Sequence, residues 1–296
     1  MSPIDFSGVH LFSVTPTDID GHIAPALFKP HFDRAISAGI RSITVFGSAG
    51  AIGSFDETER KRIAEAAVDA ADGRVPVFVG TGAMTTDEAL RLTVHAREVG
   101  AAAALVVPIT YWPLTEPELT QHYRAISEQG GLPVIIYNNP RTTGVDMAPP
   151  FLATLSRMPG VVAIKESGPD VSRISETLRL NSNSAAVLTG RDPQIIDALR
   201  VGASGWFSGG ANVMPELCVQ LDELMRADQM SAALSLFEKM VPLTDFAITK
   251  GGVRVLHTAL ELMGRSMGAP RAPLLPLQST DRSKLSEILQ DLGLMG

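Results

Sequence analysis

The chain has 296 residues, 45% of them hydrophobic and 19% charged, which is enough apolar content to bury a large core and too much for a disordered chain. A formal charge of −7 and a pI near 5.4, with no basic run interleaved with aromatics, exclude a nucleic-acid footprint and leave a small molecule as the expected partner.

At the start, MSPIDFSGVHLF has no basic segment followed by a long apolar one. No later apolar run reaches the length of a membrane span, so the expectation is a cytoplasmic protein with no membrane partner. Short apolar, often β-branched runs then recur in chain order: VHLFSV (9–14), RSITVF (41–46), VPVFVG (75–80), AAALVV (102–107), PVIIYN (133–138), VVAIKE (161–166), AAVLTG (185–190) and SGWFSG (204–209). Helical-period segments separate them. Asp56-Glu57-Thr58-Glu59 loads acids ahead of Arg60-Lys61-Arg62, and Thr85-Thr86-Asp87-Glu88 opens a segment that closes on Gly100. Strands alternating with helices predict a parallel sheet, and eight such units fit an α/β fold of the (β/α)8 TIM-barrel type better than an open doubly wound sheet of five or six strands. After Pro215 only helical patterns follow, broken by PRAPLLPLQ at 270–278. Residues 1–214 are therefore expected to form the barrel core. Residues 215–296 would supply the last barrel helix and a helical extension of the same domain, used for packing or contact between copies. Cys218, the single cysteine, excludes an intramolecular disulfide and reads within ELCVQL as a buried helix position.

In such a barrel the active site lies at the carboxyl ends of the strands, so residues that close an apolar run are the first candidates. Lys165 and Tyr137 each close one. A buried lysine loses hydration and holds more free amine, a nucleophile for carbonyl carbon. An ion pair with a neighbouring carboxylate and a phosphate anchor are the other uses of a lysine in that place. Tyr137 reads either as a proton-moving hydroxyl or as a hydrogen-bonded core residue. The run Gly47-Ser48-Ala49-Gly50-Ala51-Ile52-Gly53 before Asp56 predicts a turn that offers backbone N–H groups and a helix N-terminus to a carboxylate or one phosphate. It lacks the spacing of a nucleotide loop. The six histidines, at 10, 22, 31, 95, 122 and 257, show no metal-ligand spacing and read as core or helix-surface positions, so no metal is expected. Trp112 and Trp206 read as packing residues.

These pieces together resemble the dihydrodipicolinate synthase and N-acetylneuraminate lyase family along almost the whole chain. The resemblance runs through TPTDIDGHI, the GSAG turn, VFVGTGAMTTDEAL, the Tyr137-Asn-x-Pro motif, VVAIKES and GASGWFSGGANV. It implies a barrel that binds a 2-oxo acid as a Schiff base without metal or organic cofactor, and a homotetramer of paired dimers. Lys165 would form the imine, Tyr137 with Ser48 would move protons, and the amides of Ser48 and Ala49 beside Gly47 would hold the substrate carboxylate. Thr110, Arg141, Thr142, Ser167, Gly190, Asp192 and Phe207 would complete the substrate pocket.

Within the family, the lysine-pathway synthase usually carries two threonines where Ser48-Ala49 stands, a Pro-Tyr-Tyr where Pro108 is followed by Ile109-Thr110-Tyr111-Trp112, and an arginine where Thr142 stands. The loops PITYW with QHYRAIS, and YNNPRTTGVDM, resemble instead members that dehydrate and deaminate Δ1-pyrroline-4-hydroxy-2-carboxylate during hydroxyproline degradation. A hydro-lyase or deaminase acting on a 4-hydroxy substrate is thus expected. The alternatives are the condensation of pyruvate with aspartate semialdehyde, aldol cleavage of a 2-keto-3-deoxy sugar acid, and a protein that binds a 2-oxo acid without turnover.

Overall fold

The computed structural model describes residues 4–295. Eight strands, β1 (Gly8–Phe12), β2 (Ser42–Val45), β3 (Val77–Gly80), β4 (Ala103–Val106), β5 (Val134–Asn138), β6 (Val161–Glu166), β7 (Ala186–Thr189) and β8 (Gly205–Ser208), close in chain order into a parallel barrel. The closing pair is β1 with β8, in the register Val9 to Trp206. Seven strands fall inside the apolar runs read from the sequence, and β1 begins one residue before its run. The cause is burial on both faces: inner and outer side chains alike meet apolar neighbours, so the runs are continuous instead of alternating. Ile43, Leu105 and Ile164 are fully buried, each contributing about 1.5–3 kcal/mol relative to exposure.

The intervening helices begin where their caps predict. Asp56 accepts from the Glu59 N–H at 2.8 Å while Glu59 bonds back to the Asp56 N–H, a reciprocal capping box that starts the helix Glu57–Ala71. Thr85 caps Thr86–Glu98 through the Glu88 N–H. This places the start of Glu57–Ala71 well beyond the glycine-rich turn, after an intervening 3-10 turn, Ile52–Ser54. The helix N-terminus expected to face an anion is already occupied by Asp56, and that part of the expectation fails.

After β8 come the helices Pro215–Arg226, Met230–Lys250, Gly252–Leu262 and Ser279–Asp291, with neither helix nor strand in 270–278. Cys218 is fully buried in the first of them. The second and third pack against the turns Asp192–Gln194 and Gly210–Asn212, which follow β7 and β8. The extension therefore covers the open end of the barrel, where packing or contact between copies was expected of it. Helical periodicity reveals a buried stripe but not which end of a barrel the stripe covers. Among the described residues no helix is long and apolar enough to cross a membrane.

Candidate active site

Lys165 lies on β6 in register with Tyr137 on β5. Successive strand residues point to opposite faces, so Lys165 enters the barrel mouth. Glu166 is turned away, accepting from Asn138 Nδ2 at 3.0 Å and pairing with Arg173 Nε at 3.3 Å. Lys165 is 1% exposed. Its Nζ stands 3.7 Å from the centre of the Tyr137 ring and 4.1 Å from that of Phe12, and donates to Ser167 Oγ at 3.3 Å. Among the described residues no carboxylate pairs with it. The other acid nearby, Asp192, accepts from Trp206 Nε1 at 2.8 Å and from the Gly210 N–H at 2.9 Å.

Burial pushes the Lys165 ammonium below its ordinary value of 10.5, against the opposing pull of Tyr137, Asp192 and Glu166. The ring faces favour a cation by about 0.5–2 kcal/mol. Full burial of an amine disfavours its charged form by up to about 4–7 kcal/mol, so desolvation wins and the free amine gains population. Room for the amine is made by Gly190, where a Cβ would fall 2.5 Å from Nζ and 2.1 Å from Ser167 Oγ.

Beside the amine, three groups form a closed hydrogen-bonded triangle. Ser48 Oγ and the Tyr137 hydroxyl lie 2.9 Å apart, and Asn139 Nδ2 donates to Tyr137 at 2.8 Å and to Ser48 at 2.9 Å. Asn139 also reaches Thr142 Oγ1 at 2.9 Å. Ser48 is brought there because Phe46 turns the chain at the end of β2 in the left-handed region, at a φ of +59°, a conformation that costs about 1–2 kcal/mol for a residue with a Cβ. Among the described residues, nothing accepts from the backbone N–H of Ser48 or of Ala49, which leaves two adjacent donors for an anion beside the amine.

A cavity of about 380 Å³ opens above these groups. Of the residues predicted for the site, Ser48, Ala49, Tyr137, Arg141, Thr142, Lys165, Ser167, Gly190, Asp192 and Phe207 line it, and Gly47 and Thr110 do not. At Gly47 a Cβ would fall 1.7 Å from Phe12 Cζ, so this glycine serves the close approach of a ring and not a ligand. Thr110 is bonded within its own loop, accepting the Trp112 N–H at 3.0 Å. Tyr111 and Trp112 beyond it are 77% and 72% exposed, so Trp112 is not the packing residue expected, whereas Trp206 is fully buried. Asp192 faces the cavity with both oxygens already engaged, which makes it first a clamp between the turns after β7 and β8.

Sequence reasoning missed several members. Phe12 carries one of the two ring faces at Nζ. Asn212 ties the end of β1 to the turn after β8, donating to the carbonyls of Phe12 and Gly209 at 2.8 Å and accepting from the Val14 N–H and His31 Nε2 at 3.0 Å. Leu243, Thr244, Ala247, Ile248 and Leu256 from the C-terminal helices form one wall. Only Asn139 left a signal, as the x of the Tyr137-Asn-x-Pro motif. His10 and His31 are core residues, but His22 sits on an exposed turn with Asp18 at 3.3 Å, where Asp20 joins them, away from the core and helix-surface positions expected.

A family model described as the Dihydrodipicolinate synthetase family matches residues 5–292. Among curated proteins, the 4-hydroxy-tetrahydrodipicolinate synthase of Syntrophus aciditrophicus (strain SB) is 34% identical over 291 residues, covering 98% of this chain and all of the relative. Among solved structures, the chloride inhibited dihydrodipicolinate synthase from Acinetobacter baumannii complexed with pyruvate superposes with a TM-score of 0.93 at 31% identity, covering 99% of this chain and 100% of that one. Dihydrodipicolinate synthase from Aquifex aeolicus gives the same TM-score, 0.93, at 30% identity over 98% of this chain and 99% of its own.

Proposed function

This chain belongs to the dihydrodipicolinate synthetase family, whose members are lyases and aldolases, and from that premise we propose that it is a lyase that binds a 2-oxo acid, or the equivalent cyclic imino acid, as a Schiff base on Lys165. The observation that carries the reading is the isolation of the amine: buried, without a carboxylate partner among the described residues, over two ring faces in the cavity. An ion-paired lysine would be a poor nucleophile, and Glu166 and Asp192 are each held elsewhere. The pyruvate in the Acinetobacter baumannii relative is a ligand of the same class.

The amine adds to C2, with the substrate carboxylate on the amides of Ser48 and Ala49 so that C2 faces Nζ. Tyr137 gives a proton to the carbinolamine oxygen, water leaves, and the iminium becomes an electron sink. A C3 proton passes to Tyr137. The resulting enamine expels a 4-hydroxyl, which takes a proton and leaves as water. Hydrolysis at C2 frees the lysine. With Δ1-pyrroline-4-hydroxy-2-carboxylate, the ring opens on attack. The C3=C4 bond left by elimination then migrates, C5 and its nitrogen each losing a proton while C3 and C4 each gain one, so the C5 amine becomes an imine. Water hydrolyses it to ammonia and 2-oxoglutarate semialdehyde, and one water is consumed net for each ammonia released.

Elimination is the preferred reading because the proton relay is short. It runs from Tyr137 to Ser48 under Asn139, while Tyr111 is exposed outside the cavity. Proton transfers at C3 and C4 need no longer relay. The names of the curated relatives favour a second reading, condensation of pyruvate with aspartate semialdehyde. The deciding assay compares ammonia and 2-oxoglutarate semialdehyde release from the hydroxypyrroline with that condensation. Elimination predicts turnover of 4-hydroxy substrates, and condensation alone would reverse the order.

A further inference from the structure

Asn139 stands at the cap position ahead of the short helix Pro140–Thr143, where an asparagine side chain ordinarily accepts from the backbone N–H groups of the first turn. Here it makes no such bond. The backbone is fixed instead by three donors, because the Asn139 carbonyl accepts from the Thr142 N–H at 3.0 Å, the Thr143 N–H at 3.1 Å and the Thr143 hydroxyl at 3.1 Å. The side chain turns into the cavity. It is 7% exposed, and its Nδ2 lies within 2.9 Å of three hydroxyl oxygens, those of Tyr137, Ser48 and Thr142.

An amide nitrogen donates and does not accept. Asn139 therefore holds a lone pair of the Tyr137 oxygen and one of Ser48 Oγ without drawing a proton from either. Of the two hydroxyl protons, one is shared along the 2.9 Å contact between Ser48 and Tyr137, and the other meets no acceptor among the described residues and is left for the substrate. Once Tyr137 has given its proton to the carbinolamine oxygen, its own oxygen carries negative charge until the C3 proton arrives. Asn139 Nδ2 and the Ser48 hydroxyl are already aimed at that oxygen, and neither has to reorient. With Tyr137 2% exposed, little solvent reaches it to do the same.

We propose that Asn139 is a positioning residue for proton transfer: its amide supports the Tyr137 oxygen while that oxygen lacks a proton, and keeps the spare hydroxyl proton aimed at the substrate. Asn139 touches the relay and takes no proton itself. The role rests on the Schiff base at Lys165, because the proton concerned is one on C3 of the iminium. There the C3–H bond breaks, its electron pair forms the C2=C3 bond of the enamine, the iminium nitrogen is neutralised, and the proton passes to the Tyr137 oxygen.

Pyruvate in heavy water isolates this step, since exchange of its C3 protons needs only imine formation and proton transfer at C3. Exchange is followed by proton NMR, and the adduct at saturating pyruvate by borohydride reduction and mass, for the unaltered chain, Asn139→Leu and Asn139→Asp. In Asn139→Leu the adduct is expected to persist while exchange falls about 10²-fold, the effect of removing one donor from an oxyanion. Asn139→Asp keeps the side-chain shape. Its carboxylate repels the deprotonated Tyr137 oxygen, whereas its protonated form donates as the amide does. Relative to the unaltered chain at the same pH, its exchange should be about 10²-fold lower near pH 8 and recover about tenfold by pH 5. A purely structural tie gives a ratio that stays flat over that range. The flat ratio, exchange in Asn139→Leu within about threefold of the unaltered chain, or an unaltered chain that forms the adduct without exchange overturns the role. If Asn139→Leu gives no adduct, the pH response of Asn139→Asp decides. No adduct from the unaltered chain is a separate failure: it removes the Schiff base at Lys165, and the role of Asn139 with it.

Discussion

Lys165 Nζ stands 3.7 Å from the centre of the Tyr137 ring, while the hydroxyl of that same ring is held at 2.9 Å from Ser48 Oγ. One side chain thus offers an apolar face to the amine and a polar edge to the proton relay, and a substitution can separate the two.

Tyr137→Phe keeps the face and removes the edge. The expected result is a borohydride adduct still formed at saturating 2-oxo acid, with turnover lower by about 10²–10⁴-fold, the range of a lost general acid–base group. Turnover within tenfold of the unaltered chain would take Tyr137 out of the proton path.

Gly190 tests the space the amine needs. Because a Cβ there would lie 2.5 Å from Nζ and 2.1 Å from Ser167 Oγ, Gly190→Ala must displace the lysine. Adduct formation should slow at least a hundredfold while near-UV circular dichroism still reports a packed chain. A packed alanine variant that traps at the original rate contradicts the geometry.

The pH profile of trapping follows from the desolvated amine. Only the uncharged form attacks, so trapping rises with pH and levels off above the pKa of Lys165, which burial places below 10.5. The sign for stability agrees. Between the lowered folded value and 10.5 the unfolded chain binds the extra proton, so stability rises with pH across that window. Lys165→Met should flatten the slope. A trapping profile centred at or above 10.5 would mean that the amine is not desolvated.

The strands and the two run-closing residues were legible because the physics that makes them is local. A strand buried on both faces reads as a continuous apolar run, and Lys165 and Tyr137 stand out by ending theirs. Thr110 was misplaced because a one-residue difference in a loop redirects a side chain, and here it turns back on Trp112. The helix N-terminus was misread because Asp56, its own cap, already fills it. Phe12, Asn212 and the wall from Leu243 to Leu256 left no sequence signal. They reach the site only through the closure of β1 on β8, between residues roughly 200 positions apart, and the return of the last helices over the turns that follow β7 and β8.

Acid stability has its own source, in two buried histidines. His10 donates from Nε2 to the Phe6 carbonyl at 3.2 Å, so Ser42 Oγ, 2.7 Å from Nδ1, is the donor there, and His31 Nε2 donates to Asn212 Oδ1 at 3.0 Å. Burial lowers both from 6.5 to about 4. Their contribution is fully present above pH 6.5 and is lost as pH falls from there through about 4. The loss amounts to about 3 kcal/mol each. Urea unfolding at neutral pH and near pH 4 checks it: His31→Gln, which takes up no proton, should lose less stability over that interval, and an equal loss would move the acid sensitivity elsewhere.

The most direct measurement is the mass of the chain after borohydride reduction with pyruvate, followed by peptide mapping. One reduced pyruvate adduct per chain is expected, located on Lys165 and absent from Lys165→Met. An adduct on another lysine, or none across a panel of 2-oxo acids, would mean that Lys165 is not the imine-forming residue.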